Sequence, residues 1–116
     1  MTGLWAERLA AVWLQLKGWR VLARRHAGKR GSGIGEVDLI VRRGSVLAFV
    51  EIKFRPSLTQ AAFAISTNQK KRIVRGAKAF ISANPQMSNL TIRFDAVLVF
   101  PRSFPRHLPN AWDEGA

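Results

Sequence analysis

The sequence predicts an α/β domain in which a helix precedes three strands and a second helix precedes a fourth strand. Three observations carry that reading. Apolar residues recur at helical spacing over residues 4–17 and again from Thr67 to near Asn84, whereas Val37 to Val41, Val46 to Phe54 and Leu90 to Phe100 are short runs rich in β-branched and aromatic residues. Between the first two runs, Arg43-Gly44-Ser45-Val46 places glycine where a two-residue type II′ hairpin requires it. Finally, 116 residues of which 47% are apolar suffice for one compact core and leave little for a second. The expected organisation is a single domain over residues 1–100 and a C-terminal tail over residues 101–116.

In the first helix, Trp5, Leu9, Val12, Trp13 and Leu16 share one face and are expected to be buried, with Arg8 and Gln15 on the wet side and Gly18 as the stop. Glu7 falls between Leu4, Ala11 and Leu14 at helical spacing, at the edge of the apolar face. An ordinary boundary glutamate and a functional one are equally compatible with that position. Residues 19–25 read as a short strand. The glycine-rich stretch from His26 to Gly33 lacks the spacing of a phosphate-binding glycine motif and reads as a loop, whose Lys29 and Arg30 can grip a backbone phosphate.

Pro56 ends the strand that begins at Val46, and Thr59 to Ser66 read as a short helix. Thr67 is the expected N-cap of a longer helix, which Pro85 forbids from passing Asn84. Ile73, Ala77, Phe80 and Ile81 form its buried face. Gln69, four residues before Ile73 on that face, should point at something polar beneath. Lys70, Lys71, Arg72, Arg75 and Lys78 crowd the remaining surface, which is either a solvated basic face or, preferred here, a phosphate-tracking one, with Arg55 beside it. From Pro101 onward three prolines and two arginines show no periodicity, and the segment is expected to lie over the surface or be disordered.

The chemistry sits in the central hairpin. Asp38, Glu51 and Lys53 interrupt otherwise apolar runs, and a lone buried carboxylate costs several kcal/mol unless something offsets it. Counting outward from Arg43 opposite Val46 brings Asp38 opposite Glu51 and Glu36 opposite Lys53, all four on one face of the sheet. Opposed residues have Cβ atoms about 4.5–5.5 Å apart, so two facing carboxylates call for a divalent cation between them. The plainer alternative is a Glu36–Lys53 cross-strand ion pair beside a hydrogen-bonded Asp38. Asp95, the only acid in the last strand, is expected to pair with Arg93 or a loop amide.

Composition narrows the function. Nineteen Lys and Arg against seven Asp and Glu give a formal charge of +12, and the expected partner is a polyanion, nucleic acid above all. With no Cys, disulfides and thiolate metal sites are excluded, and His26 and His107 are too few for a histidine-rich one. Oxygen ligands remain, and facing carboxylates at Asp38 and Glu51 suit a hard divalent cation. No run approaches the roughly 18–20 apolar residues of a membrane span, and the chain is expected to be cytoplasmic and to bind no membrane.

Asp38, twelve residues, Glu51, one residue and Lys53 resemble the pattern of the PD-(D/E)xK nuclease superfamily. GEVDLIV, LAFVEIKFR, the helix bearing Gln69 and RFDAVLV together resemble the YraN family of small uncharacterised bacterial proteins, related to archaeal Holliday junction resolvases. The resemblance spans nearly the whole chain to Phe100. It implies a restriction-endonuclease-like fold, a mixed central sheet flanked by helices in the order α-β-β-β-α-β. It further implies that Asp38 and Glu51 are metal ligands, that Lys53 is the catalytic lysine, and that Glu7 stands beside the metal, as the spacing Glu7, Ala10, Ala11, Leu14, Gly18 matches the family's opening pattern. With the Ile52 carbonyl, these acids offer hard oxygen ligands that suit Mg²⁺ or Mn²⁺. Gln69 corresponds to a helix glutamine of related nucleases, although Asn68 and Ile73 depart from the residues that often surround it. The implied activity is metal-dependent endonucleolytic cleavage of DNA, including branched or repair intermediates, leaving a 5′-phosphate and, for a junction, needing a homodimer. The alternative from a different class is a nucleic-acid-binding module with this fold and little turnover.

Overall fold

The computed structural model describes residues 3–26, 36–56 and 65–113. Helix α1 (Gly3–Leu16) leads into β1 (Arg20–His26), β2 (Val37–Arg43) and β3 (Val46–Phe54), then helix α2 (Thr67–Ala83), a 3₁₀ turn (Pro85–Met87), β4 (Thr91–Val99) and β5 (Arg106–Trp112). The strands form one five-stranded sheet in the order β1-β2-β3-β4-β5. Only the β3/β4 pair is parallel. Parallel neighbours need a crossover, which α2 supplies.

The hairpin forms in the predicted register. Arg43 pairs with Val46, Val41 with Ala48 and Leu39 with Val50. Gly44 takes φ +60° while Ser45 does not enter the positive-φ region, which is the type II′ pattern. Alternation then sends Leu39, Val41, Ala48 and Val50 to the core beneath α1, and Ile40, Leu47 and Phe49 to the core beneath α2. The sheet is thus buried on both faces, as its apolar strands require.

Helix α1 corrects the sequence reading of its face. Ala6, Ala10, Ala11 and Leu14 are buried against the sheet, while Trp5, Val12 and Leu16 are exposed. The helix is apolar nearly all round, and the small alanines let its backbone approach the sheet where the tryptophans would hold it away. Its C-terminus follows the prediction. The Trp19 N–H reaches the Leu14 carbonyl and the Gly18 N–H that of Gln15, each at 3.0 Å, with Gly18 at φ +92°. That is a Schellman cap, and Trp19 and Leu14 pack in the same core.

Helix α2 starts as expected but is capped one residue earlier than predicted. The Ser66 side chain, not Thr67, accepts from the Gln69 N–H at 3.1 Å. The predicted short helix at Thr59 to Ser66 falls mostly outside the described residues, as do Lys29 and Arg30.

The segment after Pro101 differs from its expectation, because it supplies β5. Trp112 stacks on Phe94 with ring centroids 5.8 Å apart. Asp95, fully buried, takes Arg93 Nε at 3.0 Å and Nη2 at 2.8 Å, lies 2.7 Å from His107 Nε2, and accepts the Asn110 N–H at 2.9 Å. The Arg93 pair is the one expected from the sequence, whereas the His107 and Asn110 contacts are tertiary, and no local period announces them. Pro109 is tolerated because β5 is an edge strand.

Candidate functional site

The hairpin pairing stops at Leu39 and Val50, so β2 and β3 separate just before the predicted carboxylate pair. In an unbroken ladder the Ile52 N–H would bond the Val37 carbonyl, since Arg43/Val46, Val41/Ala48 and Leu39/Val50 are the hydrogen-bonded pairs. Instead it donates to Asp38 Oδ2 at 2.8 Å. Val37 packs with the α2-side core as Ile40 does, so the alternation of β2 breaks at Asp38 and turns its side chain into the gap between the strands. The Ile52 carbonyl, on the same edge of β3 as its N–H, faces that gap too.

Glu51 is buried and meets Asp38 as a hydrogen-bond and charge neighbour. Burial, first, and then the hydrogen bond and charge of Asp38 push its carboxyl up to about 9, against a smaller downward pull from Lys53. Burial and the neighbouring charge thus favour a proton shared by this carboxyl pair, doing for it what a cation between the two would do. Lys53 Nζ lies 3.5 Å from Glu51 Oε2. Gln69, from the first turn of α2, donates through Nε2 to the same Oε2. The polar group that Gln69 was expected to find beneath it is Glu51.

Two clefts open on either side of the separated strands. The one toward α2 is lined by Glu36, Asp38, Glu51, Ile52, Lys53, Gln69, Arg72 and Ile73. The other, about 270 Å³, is lined by Ala6, Glu7, Arg25, Glu36, Asp38, Ile52, Lys53, Phe54 and Arg55. Asp38 and Lys53 belong to both. Alternation along β3 keeps Glu51 and Lys53 on one face, as expected, whereas Glu36 and Asp38, like the end of Lys53, border both clefts.

The structure thus gathers Asp38, Glu51, Lys53 and Gln69, and sets Glu7 in the adjoining cleft. Glu7 is buried, and its Oε2 accepts from Arg25 Nε at 2.9 Å. The hydrogen bond to Glu7 and its charge raise the Arg25 guanidinium above its ordinary pKa. Arg25 was not singled out from the sequence. It occupies a positive φ of 50° near the end of β1, a local strain that no composition or spacing signal announces. Among the described residues, no three acidic or histidine side chains converge as a ready-made metal shell. The donor set nonetheless fits a hard cation, because the two carboxyls in contact and the carbonyl beside them are all oxygen and one carboxyl already needs a positive charge to ionise.

Of the predicted phosphate-contacting residues, Lys71, Arg72, Arg75 and Lys78 are exposed on α2, Lys70 is half-buried, and Arg55 lines the α1-side cleft, where its Nη1 donates to the Phe54 carbonyl at 2.7 Å. No described helix is long and apolar enough to cross a membrane.

Comparison with known proteins places this geometry. Among solved structures, Archaeoglobus fulgidus Hjc, a Holliday junction resolvase from an archaeal hyperthermophile, matches with a TM-score of 0.56 over 94% of this chain and 73% of that one, at 20% sequence identity. That likeness shows the fold, which is restriction-endonuclease-like as expected. A UPF0102 protein of Paramagnetospirillum magneticum is 50% identical over 107 residues, 92% of this chain and 83% of the relative. Another, from Methylobacterium nodulans, is 50% identical over 113 residues, 97% of this chain and 84% of the relative. The model of the uncharacterised protein family UPF0102 matches residues 6–99, and this chain therefore belongs to that family, the YraN family of its sequence resemblance.

Proposed function

We propose that this protein is a divalent-cation-dependent endonuclease acting on DNA. The observation that carries the reading is that Asp38, fixed by the Ile52 N–H, and Glu51 line one cleft at the point where β2 and β3 separate, with Lys53 and Gln69 on the Glu51 carboxyl. A binding module would lose affinity for phosphate by aiming carboxylates at it, and a purely structural pair would gain more from an apolar replacement.

Asp38, Glu51 and the Ile52 carbonyl are the residues to hold Mg²⁺ or Mn²⁺, with Glu7, in the adjoining cleft that Asp38 and Ile52 also line, as a further oxygen donor. When bound, such a cation polarises a phosphodiester oxygen and lowers the pKa of a coordinated water. The chain's own residues do the rest. The Ile52 N–H fixes the Asp38 carboxylate, and Gln69 fixes the rotamer of Glu51. Lys53, a compact cation open to both clefts, stabilises the charge that develops on the pentacovalent phosphorus. The basic face of α2 tracks the flanking backbone. The fold likeness to a junction resolvase makes branched DNA the first substrate to try, with two copies needed for paired cuts.

The test is cleavage of linear duplex, single-stranded and four-way-junction DNA with Mg²⁺, Mn²⁺ or chelator. Wild-type protein should cut at least one substrate only with metal, and Glu51→Ala and Lys53→Ala should each lower the rate by at least about a hundredfold. Wild-type activity no greater than that of both variants would leave DNA binding without turnover as the function.

A further inference from the structure

Arg72 stands at a junction that the reaction described above does not use. It lines the α2-side cleft with Asp38, Glu51 and Lys53, and it also lines a separate shallow notch of about 300 Å³ with Asn68, Lys71 and Arg75. The spacing on α2 explains the arrangement. Residues 71 and 72 each lie three or four positions from 68 and from 75, so the four share one strip of the helix, beside the Gln69–Ile73 strip that grips the sheet.

The notch is electrostatically expensive as it stands. Lys71 and Arg72 bring two positive charges to the lining of one concavity. Among the described residues neither Lys71 nor Arg72 has a carboxylate partner, and both are exposed. Of the acids that line the cleft with Arg72, Glu51 is engaged by Gln69 and Lys53, and Asp38 by the Ile52 N–H. The chemistry that relieves such a cluster is a tetrahedral oxyanion. Arg72 offers a planar fork of donors, Lys71 a point charge and Asn68 a neutral amide donor, a set suited to one phosphate with several oxygens.

We infer that Asn68, Lys71 and Arg72 form a discrete phosphate-binding notch, which seats the phosphodiester next to the one presented to Lys53 on the same DNA strand. Arg72, shared by notch and cleft, is the residue that fixes the spacing between the two phosphates. The placement of the second phosphate rests on the nuclease reading of the cleft, whereas the affinity of the notch for phosphate does not. The consequence is a defined path for the cut strand, which leaves the cleft over the first two turns of α2 rather than along the outer face of α1.

Amide resonances of the full-length, metal-free protein, followed by NMR during titration with inorganic phosphate and then with 5′-phosphorylated trithymidylate, test the inference without turnover. Phosphate should shift residues 68–72 saturably. The trinucleotide should shift them together with Glu51 and Lys53, at one common dissociation constant. Arg72→Gln and Lys71→Gln should each weaken trinucleotide binding by about tenfold, the worth of one charge-assisted contact, while Arg106→Gln, an equal charge loss on β5, should not. Shifts that never saturate, or an Arg106→Gln loss equal to that of Arg72→Gln, would mean a diffuse positive field and overturn the notch. Metal-dependent cleavage with no notch binding overturns this inference and leaves the nuclease reading intact, and saturable notch binding without cleavage does the reverse.

Discussion

Glu51 concentrates the physics of this molecule at the scale of one residue. Its carboxyl is raised to about 9 because it is buried and faces Asp38, so the folded state keeps a proton that the unfolded state releases near 4.5. The sign follows from linkage: below about 4.5 both states hold the proton, and as pH rises toward 9 the unfolded state alone ionises and stability falls, by as much as a few kcal/mol. Glu51→Gln keeps the shape and removes the titration. Urea unfolding in chelator at pH 5.5 and 8.5 should show wild type losing stability between the two values and the Gln variant nearly flat across them, with the variant the more stable protein at pH 8.5. The hairpin register leading up to this pair was legible in sequence as far as Leu39 and Val50, because a two-residue turn fixes it. The break at Asp38 was not, since nothing in GEVDLIV says that the side chain rather than the Val37 carbonyl takes the Ile52 N–H.

At the scale of elements, α1 and β5 show where sequence reading reaches its limit. Helix existence and its Gly18 stop were legible, but the choice of face was not, because periodicity rewards large side chains and the sheet selected alanines. The measurable result is an inversion of the expected pattern. Leu14→Ala, at a fully buried site, should cost about 2–5 kcal/mol, whereas Leu16→Ala, at a site 78% exposed, should stay within about 0.5 kcal/mol in denaturant unfolding. Strand β5 is held by Asp95. Burial alone would raise its carboxyl, but the hydrogen bonds from His107, Arg93 and the Asn110 N–H outweigh it and draw the pKa down from 3.8 to about 2. Stability from this latch is therefore complete above about pH 4 and is lost as pH falls toward 2, amounting to roughly 2 kcal/mol. Asp95→Asn should abolish that acid-dependent loss, and by hydrogen exchange it should release β5 amides well before those of β3. Asp95's pairing with Arg93 was readable from their spacing along one strand. Its grip on His107 and Asn110 was hidden by the intervening chain.

For the whole molecule, one fact organises the rest: a chain of formal charge +12 brings two of its seven acids into contact beside a gap in its own sheet. The overall field repels cations, so a divalent ion that binds at all must bind where local carboxylates overcome that field. The same field attracts polyanions, the proposed DNA substrate among them, and the helices on opposite faces of the sheet leave the gap as the place where the two requirements meet. Fold class, hairpin register and the candidates Asp38, Lys53 and Gln69 around Glu51 were all within reach of the sequence because each rests on local counting. The engagement of Glu7 by Arg25 and the fifth strand depend on which surfaces finally touch.

The most direct test of the central claim needs no substrate: calorimetric titration of the metal-free protein with Mn²⁺ at pH 7, in buffers of differing ionisation enthalpy, for wild type, Asp38→Asn and Glu51→Gln. Wild type should bind one ion with release of a proton to the buffer, because Glu51 must ionise to become a ligand, and both variants should lose that site. Absence of binding in wild type, or equal binding without proton release in all three proteins, would contradict a cation site at Asp38 and Glu51.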